Sequence, residues 1–160
     1  DGSRYNPGKE KVGDGTMYKY LTALRKIESS KDKTLKAMLK TLETSSKKHF
    51  VEKGIINEVG PDPLSKSVKD SQEKIKNGIP IDTQTTFNFS DDVKNELEKS
   101  IGVPESDLTI VSHEMGHQYD YDQGKNGDSF GIPASSESPT EIRAVNTENK
   151  ARKIENLPKH

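Results

Sequence analysis

Thr109-Ile110-Val111-Ser112-His113-Glu114-Met115-Gly116-His117-Gln118-Tyr119 carries the pattern H-E-x-x-H at positions 113–117. On a helix, histidines four residues apart project from one face, so their ring nitrogens can meet a single ion. Glu114 lies about 100° round the helix from His113. There it can reach a water on that ion rather than the ion itself. Leu108, Val111, Met115 and Tyr119 fall at i, i+3, i+7 and i+11, which marks a buried stripe. His113 and His117 lie roughly opposite, with Ile110 and Tyr121 beside them, so the pattern predicts a helix covered on two sides. Histidines held there need partners, and a metal ion is one. An amphipathic surface helix that carries two histidines by chance would have no second apolar side. Two of the chain's four histidines (49, 113, 117 and 160) form the pair. Zinc suits such a site, taking nitrogen and oxygen ligands, three from the protein, and keeping the fourth position for water.

The composition narrows the rest. A chain of 160 residues suffices for one domain with a modest core. Its 25 basic and 26 acidic residues nearly cancel, which argues against a general grip on nucleic acid or an anionic membrane. Only 28% of residues are apolar and the mean hydropathy is -0.94, so a small core and long polar loops are expected. No run approaches a membrane span and no signal peptide is visible. A start at Asp1 fits an excised or processed piece of something longer. Cysteine is absent, which removes thiolate metal sites, cysteine nucleophiles and disulfides. It also sets aside the H-E-x-x-H deformylases, whose metal has a cysteine ligand. A thiol-free chain fits secretion or transfer between cells.

Residues 1–15 are turn chemistry throughout and are expected to form an entry linker, with one domain over 16–160. Thr16 is placed to cap a first helix bearing Tyr18, Leu21, Leu24 and Ile27. A second helix carries Leu35, Met38, Leu39 and Leu42 on one face. Lys31, Lys33, Lys36 and Lys40, with Lys47 and Lys48 beyond, are read as a solvated face rather than an acidic-partner patch. Residues 49–53 and 55–59 are short strands around Gly54, and Gly60-Pro61-Asp62-Pro63 is a turn that closes the section. His49 is read as exposed and without a role. Residues 64–78 form a loop with at most a weak helix. Residues 79–89 alternate and are rich in β-branched and aromatic types, the best strand in the chain. Ser90 starts a short helix near 91–100. Pro104 opens the central helix, with Glu105 and Asp107 at its positive end, and Gly124 closes it. The fold class that follows is α+β, mostly helical with a small mixed sheet.

Zinc needs a third ligand. After a polar loop at 124–137, Ser138-Pro139-Thr140-Glu141 is a capping-box pattern with proline at the first helical position. Glu141, Ala144 and Glu148 share one face of the helix that follows, and the small Ala144 permits close approach to the metal helix. Spacing leaves Glu141 and Glu148 both open. Glu141 can instead only cap Ser138, and Glu148 can pair with Arg152 at i+4 in solvent. Asp120, Asp122 and Asp128 are weaker candidates.

The H-E-x-G-H-x-x-D-Y element at 113–121 and the E-x-R-A-V-x-x-E-N element at 141–149 resemble the NleD-like effector metallopeptidases. These occur as type III effectors and as toxin modules of Rhs-type polymorphic toxins. The resemblance covers roughly the last third of the chain. It implies a zincin-like fold and zinc endopeptidase activity, with His113 and His117 as ligands and Glu114 as the base. The Glu141-x-x-Ala144 element resembles the one that carries the glutamate ligand in several zincins. This favours Glu141 as the third ligand and leaves Glu148 to orient a histidine. A protein or peptide substrate, no nucleic acid, no membrane insertion, a monomeric state and a secreted or delivered location are expected with it. In the expected mechanism Glu114 takes a proton from zinc-activated water and passes it to the leaving amine. Tyr119 or Tyr121 is a candidate oxyanion donor, though packing is the expected role of each. The 81–89 strand is the candidate that pairs with extended substrate. A regulatory zinc protease acting inside its own cell and a non-catalytic zinc-stabilised binding module are the alternatives. Glu114 speaks against the second, since a structural site has no use for that carboxylate.

Overall fold

A computed structural model describes residues 15–64 and 68–160. The linker read at 1–15 lies outside the described residues except for Gly15. Among the described residues there are six α-helices and one three-stranded mixed sheet, so the α+β class holds.

Helices α1 (Thr16–Ser29) and α2 (Lys33–Thr44) come first. Gly15, in the left-handed region at φ 83°, caps α1, and Thr16 is its first helical residue rather than the cap. Asp32 caps α2 by accepting the Leu35 N–H at 2.9 Å. Ala23 and Ile27 of α1 and Leu35 and Leu39 of α2 join the core, while Lys31, Lys33, Lys36 and Lys40 stay exposed.

Strand β1 (His49–Lys53) lies parallel to β3 (Thr83–Phe87), and β2 (Glu58–Pro61) lies antiparallel to it, in the order β1-β3-β2. Several expectations change here. The second strand starts at Glu58, because Ile55 and Ile56 bend outward into solvent. Gly60 and Pro61 belong to that strand rather than to a turn, which proline tolerates at a strand end on a sheet edge. The 79–89 strand is trimmed to 83–87. Pro80 has no N–H to give, and the Ile81 N–H turns to the Tyr121 carbonyl at 3.4 Å. More consequentially, β3 is the central strand, so it has no free edge. Residues 68–76, read within a loop with at most a weak helix, form helix α3 (Val68–Lys76), with Asp70 and Lys74 paired at i, i+4.

Helix α4 (Asp91–Ile101) starts at Ser90 as expected. Helix α5 (Asp107–Asp122) starts later than Pro104. Ser106 is its cap, in a reciprocal box with Thr109. Gly124 follows the helix end at φ 65°, and a Cβ there would fall 2.2 Å from the Gly78 carbonyl oxygen, so only glycine fits. A 3₁₀ turn (Asn126–Ser129) leads to α6 (Pro139–Ile154).

Helix α5 runs through the centre, against α1, α2 and the sheet on one side and α6 on the other. Leu108, Val111 and Met115 are 2% exposed or less, whereas Tyr119 is half-buried. Their neighbours include Phe87 and Phe89, whose rings stack at 5.3 Å. Gln118 donates to Thr85 Oγ1 at 2.8 Å and fixes α5 to the central strand. On the other side Gly116 faces Ala144. A Cβ on Gly116 would sit 3.0 Å from the Ala144 Cα, so the missing side chain sets how closely α5 and α6 approach.

Candidate metal centre

The α5–α6 contact brings together the residues that carry the chemistry. His113 Nε2 and His117 Nε2 are 3.3 Å apart. Glu141, one turn into α6, places one carboxylate oxygen 3.1 Å from His113 Nε2 and the other 3.3 Å from His117 Nε2. Zinc at about 2.0–2.1 Å from each of its ligands holds tetrahedral vertices roughly 3.4 Å apart, so these separations are compatible with three ligands of one metal ion. Two ring nitrogens that face each other at 3.3 Å need a cation or a proton between their lone pairs. The donor set of two imidazoles and a carboxylate therefore fits zinc by chemistry and by spacing. Ser138 caps α6 without a side-chain bond to its helix, so Glu141 is free of the capping role.

Glu148, two turns further along α6, holds His113 from behind. His113 Nδ1 donates to Glu148 Oε2 at 2.9 Å, which leaves the Nε2 lone pair directed into the site. His160 Nδ1 meets the same oxygen at 3.1 Å. The pair with Arg152 at i+4 is present, but it is buried rather than solvated. Arg152 is fully buried and donates to Glu148 Oε1 at 2.6 Å, to Glu105 Oε1 at 2.5 Å and to the Pro104 carbonyl at 2.6 Å. One guanidinium thus fixes α6, the chain before α5 and, through Glu148, the ring of His113.

Glu114 points its carboxylate into the same cleft and is 6% exposed. Burial pushes its carboxyl up from the usual range, opposed by His113 and His117 and reinforced by Glu141 and Glu58. Among the described residues no hydrogen bond or ion pair ties it to a neighbour.

The other candidates sit elsewhere. Asp120 and Asp128 both grip Arg143, at 2.7 and 2.6 Å. Asp122 accepts from Ser45 and from His49 Nε2, while His49 Nδ1 meets Thr83 Oγ1 at 2.8 Å. His49 is therefore no exposed bystander: it ties the start of β1 to the end of α5. A histidine beside two lysines gave no sign of this in sequence. Tyr121 borders the cleft and shares a hydrogen bond with Asn126. Tyr119 lies away from the cleft lining, under the Lys125 ammonium at 5.2 Å. Gly116 and His160 were missed, and Arg152 was read only as a solvent partner of Glu148. The close approach at Gly116 and the burial of Arg152 have no sequence signal until the α5–α6 pairing is known.

Without metal the cluster binds a proton. Burial pushes the His113 imidazole down, but hydrogen bonds to Glu141 and Glu148 outweigh it and raise its pKa to about 10. Those same histidines hold the Glu141 carboxyl well below the usual range, so it stays ionised. A raised folded-state pKa stabilises the metal-free protein fully below about 6.5, and this contribution is lost as pH rises through about 10. Zinc needs the neutral ring, so it displaces that proton. Zinc affinity is expected to rise about tenfold per pH unit between pH 7 and 9, with about one proton released per zinc. Calorimetric titration in buffers of different ionisation enthalpy reads this number, and zero protons released would contradict the pairing.

The site opens into a cleft of about 1260 Å³ bounded by β2, α4, the 126–136 loop, α6 and His160. This is larger than the 300–1,000 Å³ common for small ligands. No family model, no curated protein and no solved structure matches the chain.

Proposed function

We propose that this chain is a zinc-dependent endopeptidase of the zincin kind. The observation that carries the reading is the spacing of His113, His117 and Glu141 beside a buried, unpaired Glu114 in an open cleft. Zinc held there supplies a Lewis acid that polarises a carbonyl and acidifies water. The chain's own residues do the rest. Glu148, steadied by Arg152, keeps the His113 ring in one tautomer and orientation. The Glu114 carboxylate, near both histidines but bonded to neither, takes the proton of the attacking water and returns it to the departing amine.

Extended substrate pairs at an edge, and here the expected strand must be replaced. Strand β3 is paired on both sides, whereas β2 is an edge strand whose Glu58 and Val59 border the cleft. Strand β2 is therefore the one to which a peptide can add. The resemblance to NleD-like effectors supports a secreted or delivered protein that acts on other proteins. Rhs repeats or a secretion signal encoded upstream of Asp1 would agree with it.

The direct test is hydrolysis of unfolded casein by protein stripped with a chelator and then reloaded. Zinc should restore cleavage at least a hundredfold over the stripped form. A zinc-loaded, folded protein that leaves casein and mixed peptides intact would sink the reading.

A further inference from the structure

The cleft is charged on one side of the ledger only. Lysine and arginine make up 25 of the 160 residues, yet among the described residues none lines the cleft. Its acids fall into three groups. Glu105 and Glu148 share the buried Arg152 guanidinium, and Glu114 and Glu141 match the two charges of a zinc ion. The third, Glu58, Asp92 and Glu96, stands exposed on the cleft lining. Glu58 is on the free edge strand β2, and Asp92 and Glu96 lie at i, i+4 on α4. Glu96 also meets Lys99, but that pair is exposed on both sides and contributes little.

Part of the lining is apolar. Val93, Leu97 and Ile101 repeat at i, i+4, i+8 along the cleft side of α4. Ile56, Phe130 and Ile132 also line the cleft and are 50%, 42% and 47% exposed. Large apolar side chains grouped at this exposure around a cleft mark a surface that is covered in use. The acids alone would be a solvated rim. It is the exposed apolar side chains beside them that mark a surface for an occupant.

We infer that the cleft takes an extended peptide segment in which large apolar side chains are flanked by lysine or arginine. The apolar side chains fill the wall between α4 and the 130–132 loop, and the basic ones meet Glu58, Asp92 and Glu96. The inference rests on the peptidase reading for its substrate, but it makes a separate claim about binding. The same rim disfavours acidic segments, because among the described residues a carboxylate in the cleft meets no lysine or arginine.

The test measures binding, with cleavage suppressed by Glu114→Gln in the zinc-loaded full chain. Three fluorescent peptides share a glycine–serine frame. One has two leucines flanked by lysines, the second replaces the lysines by glutamates, and the third replaces the leucines by serines. In 50 mM salt the lysine–leucine peptide should bind at least tenfold tighter than either of the others. Its advantage over the glutamate peptide should shrink in 500 mM salt. Asp92→Lys with Glu96→Lys, or separately Glu58→Lys, should remove most of that advantage. These positions are exposed, so the fold should survive, which circular dichroism checks. Equal affinity for the lysine and glutamate peptides, or a preference untouched by both charge reversals, overturns the electrostatic half. Equal binding of the serine peptide overturns the apolar half. The peptidase reading is scored apart, by whether the zinc-loaded parent hydrolyses the peptide it prefers.

Discussion

Glu114→Gln is expected to keep the fold and one zinc per chain while lowering the rate of peptide cleavage by about 10²–10⁴-fold. Glutamine has nearly the same shape, so the packing around position 114 is preserved. What disappears is the ability to accept a proton. Glu114 is not one of the three residues whose donor atoms converge on a common point, so metal content should not change. Since Glu114 makes no hydrogen bond or ion pair among the described residues, no structural bond is broken either. Removing a buried carboxylate whose pKa is raised by burial should leave stability unchanged or slightly higher at neutral pH. A variant that cleaves as fast as the parent would show that the proton moves by another route.

Arg152→Met is expected to cost about 3–5 kcal/mol of stability, because it leaves two buried carboxylates without their shared cation. Methionine fills much of the volume, so the loss is electrostatic rather than a cavity. Glu148 and Glu105 lose bonds of 2.6 and 2.5 Å, and the Pro104 carbonyl loses one of 2.6 Å. For a domain of this size the melting temperature should fall by roughly 10 °C. Zinc affinity should fall as well, by about 10–100-fold, because Glu148 no longer holds the His113 ring firmly. Adding Glu105→Gln should recover part of the stability but little of the zinc affinity. Calorimetric melting with and without zinc separates the two effects. A loss of under 1 kcal/mol would contradict the buried ion cluster.

What could be read from sequence follows the range of the forces involved. His113, Glu114 and His117 were legible because their relation is set within one helical turn. The four helices with clear caps or apolar periodicity, α1, α2, α4 and α6, were legible for the same reason. Helix α5 was found, but its start was misplaced at Pro104. The reciprocal Ser106–Thr109 box carries no glutamate, so its signature was weaker than proline's. Helix α3 was read as at most a weak helix because Val68 and Ile75 are the large apolar residues of its sequence. The role of β3 could not be decided locally. A strand of alternating threonines and phenylalanine looks alike at an edge or at the centre, and only pairing with both β1 and β2 settles it. Glu141 was favoured over Glu148 by resemblance alone. The structure separates them by distance: Glu141 meets both Nε2 atoms, and Glu148 meets only Nδ1 of His113. Arg152 was legible as a partner of Glu148 but not as a buried one, since burial depends on how α6 packs.

The central claim is that His113, His117 and Glu141 together hold one zinc ion. A zinc competition titration of the parent and of Glu141→Ala tests it most directly. The parent should bind one zinc per chain. Glu141→Ala should bind it at least about 10²-fold more weakly, a larger loss than the 10–100-fold typical of groups that only orient a ligand. Undiminished zinc affinity in Glu141→Ala, or a parent that binds no zinc at all, would contradict the account.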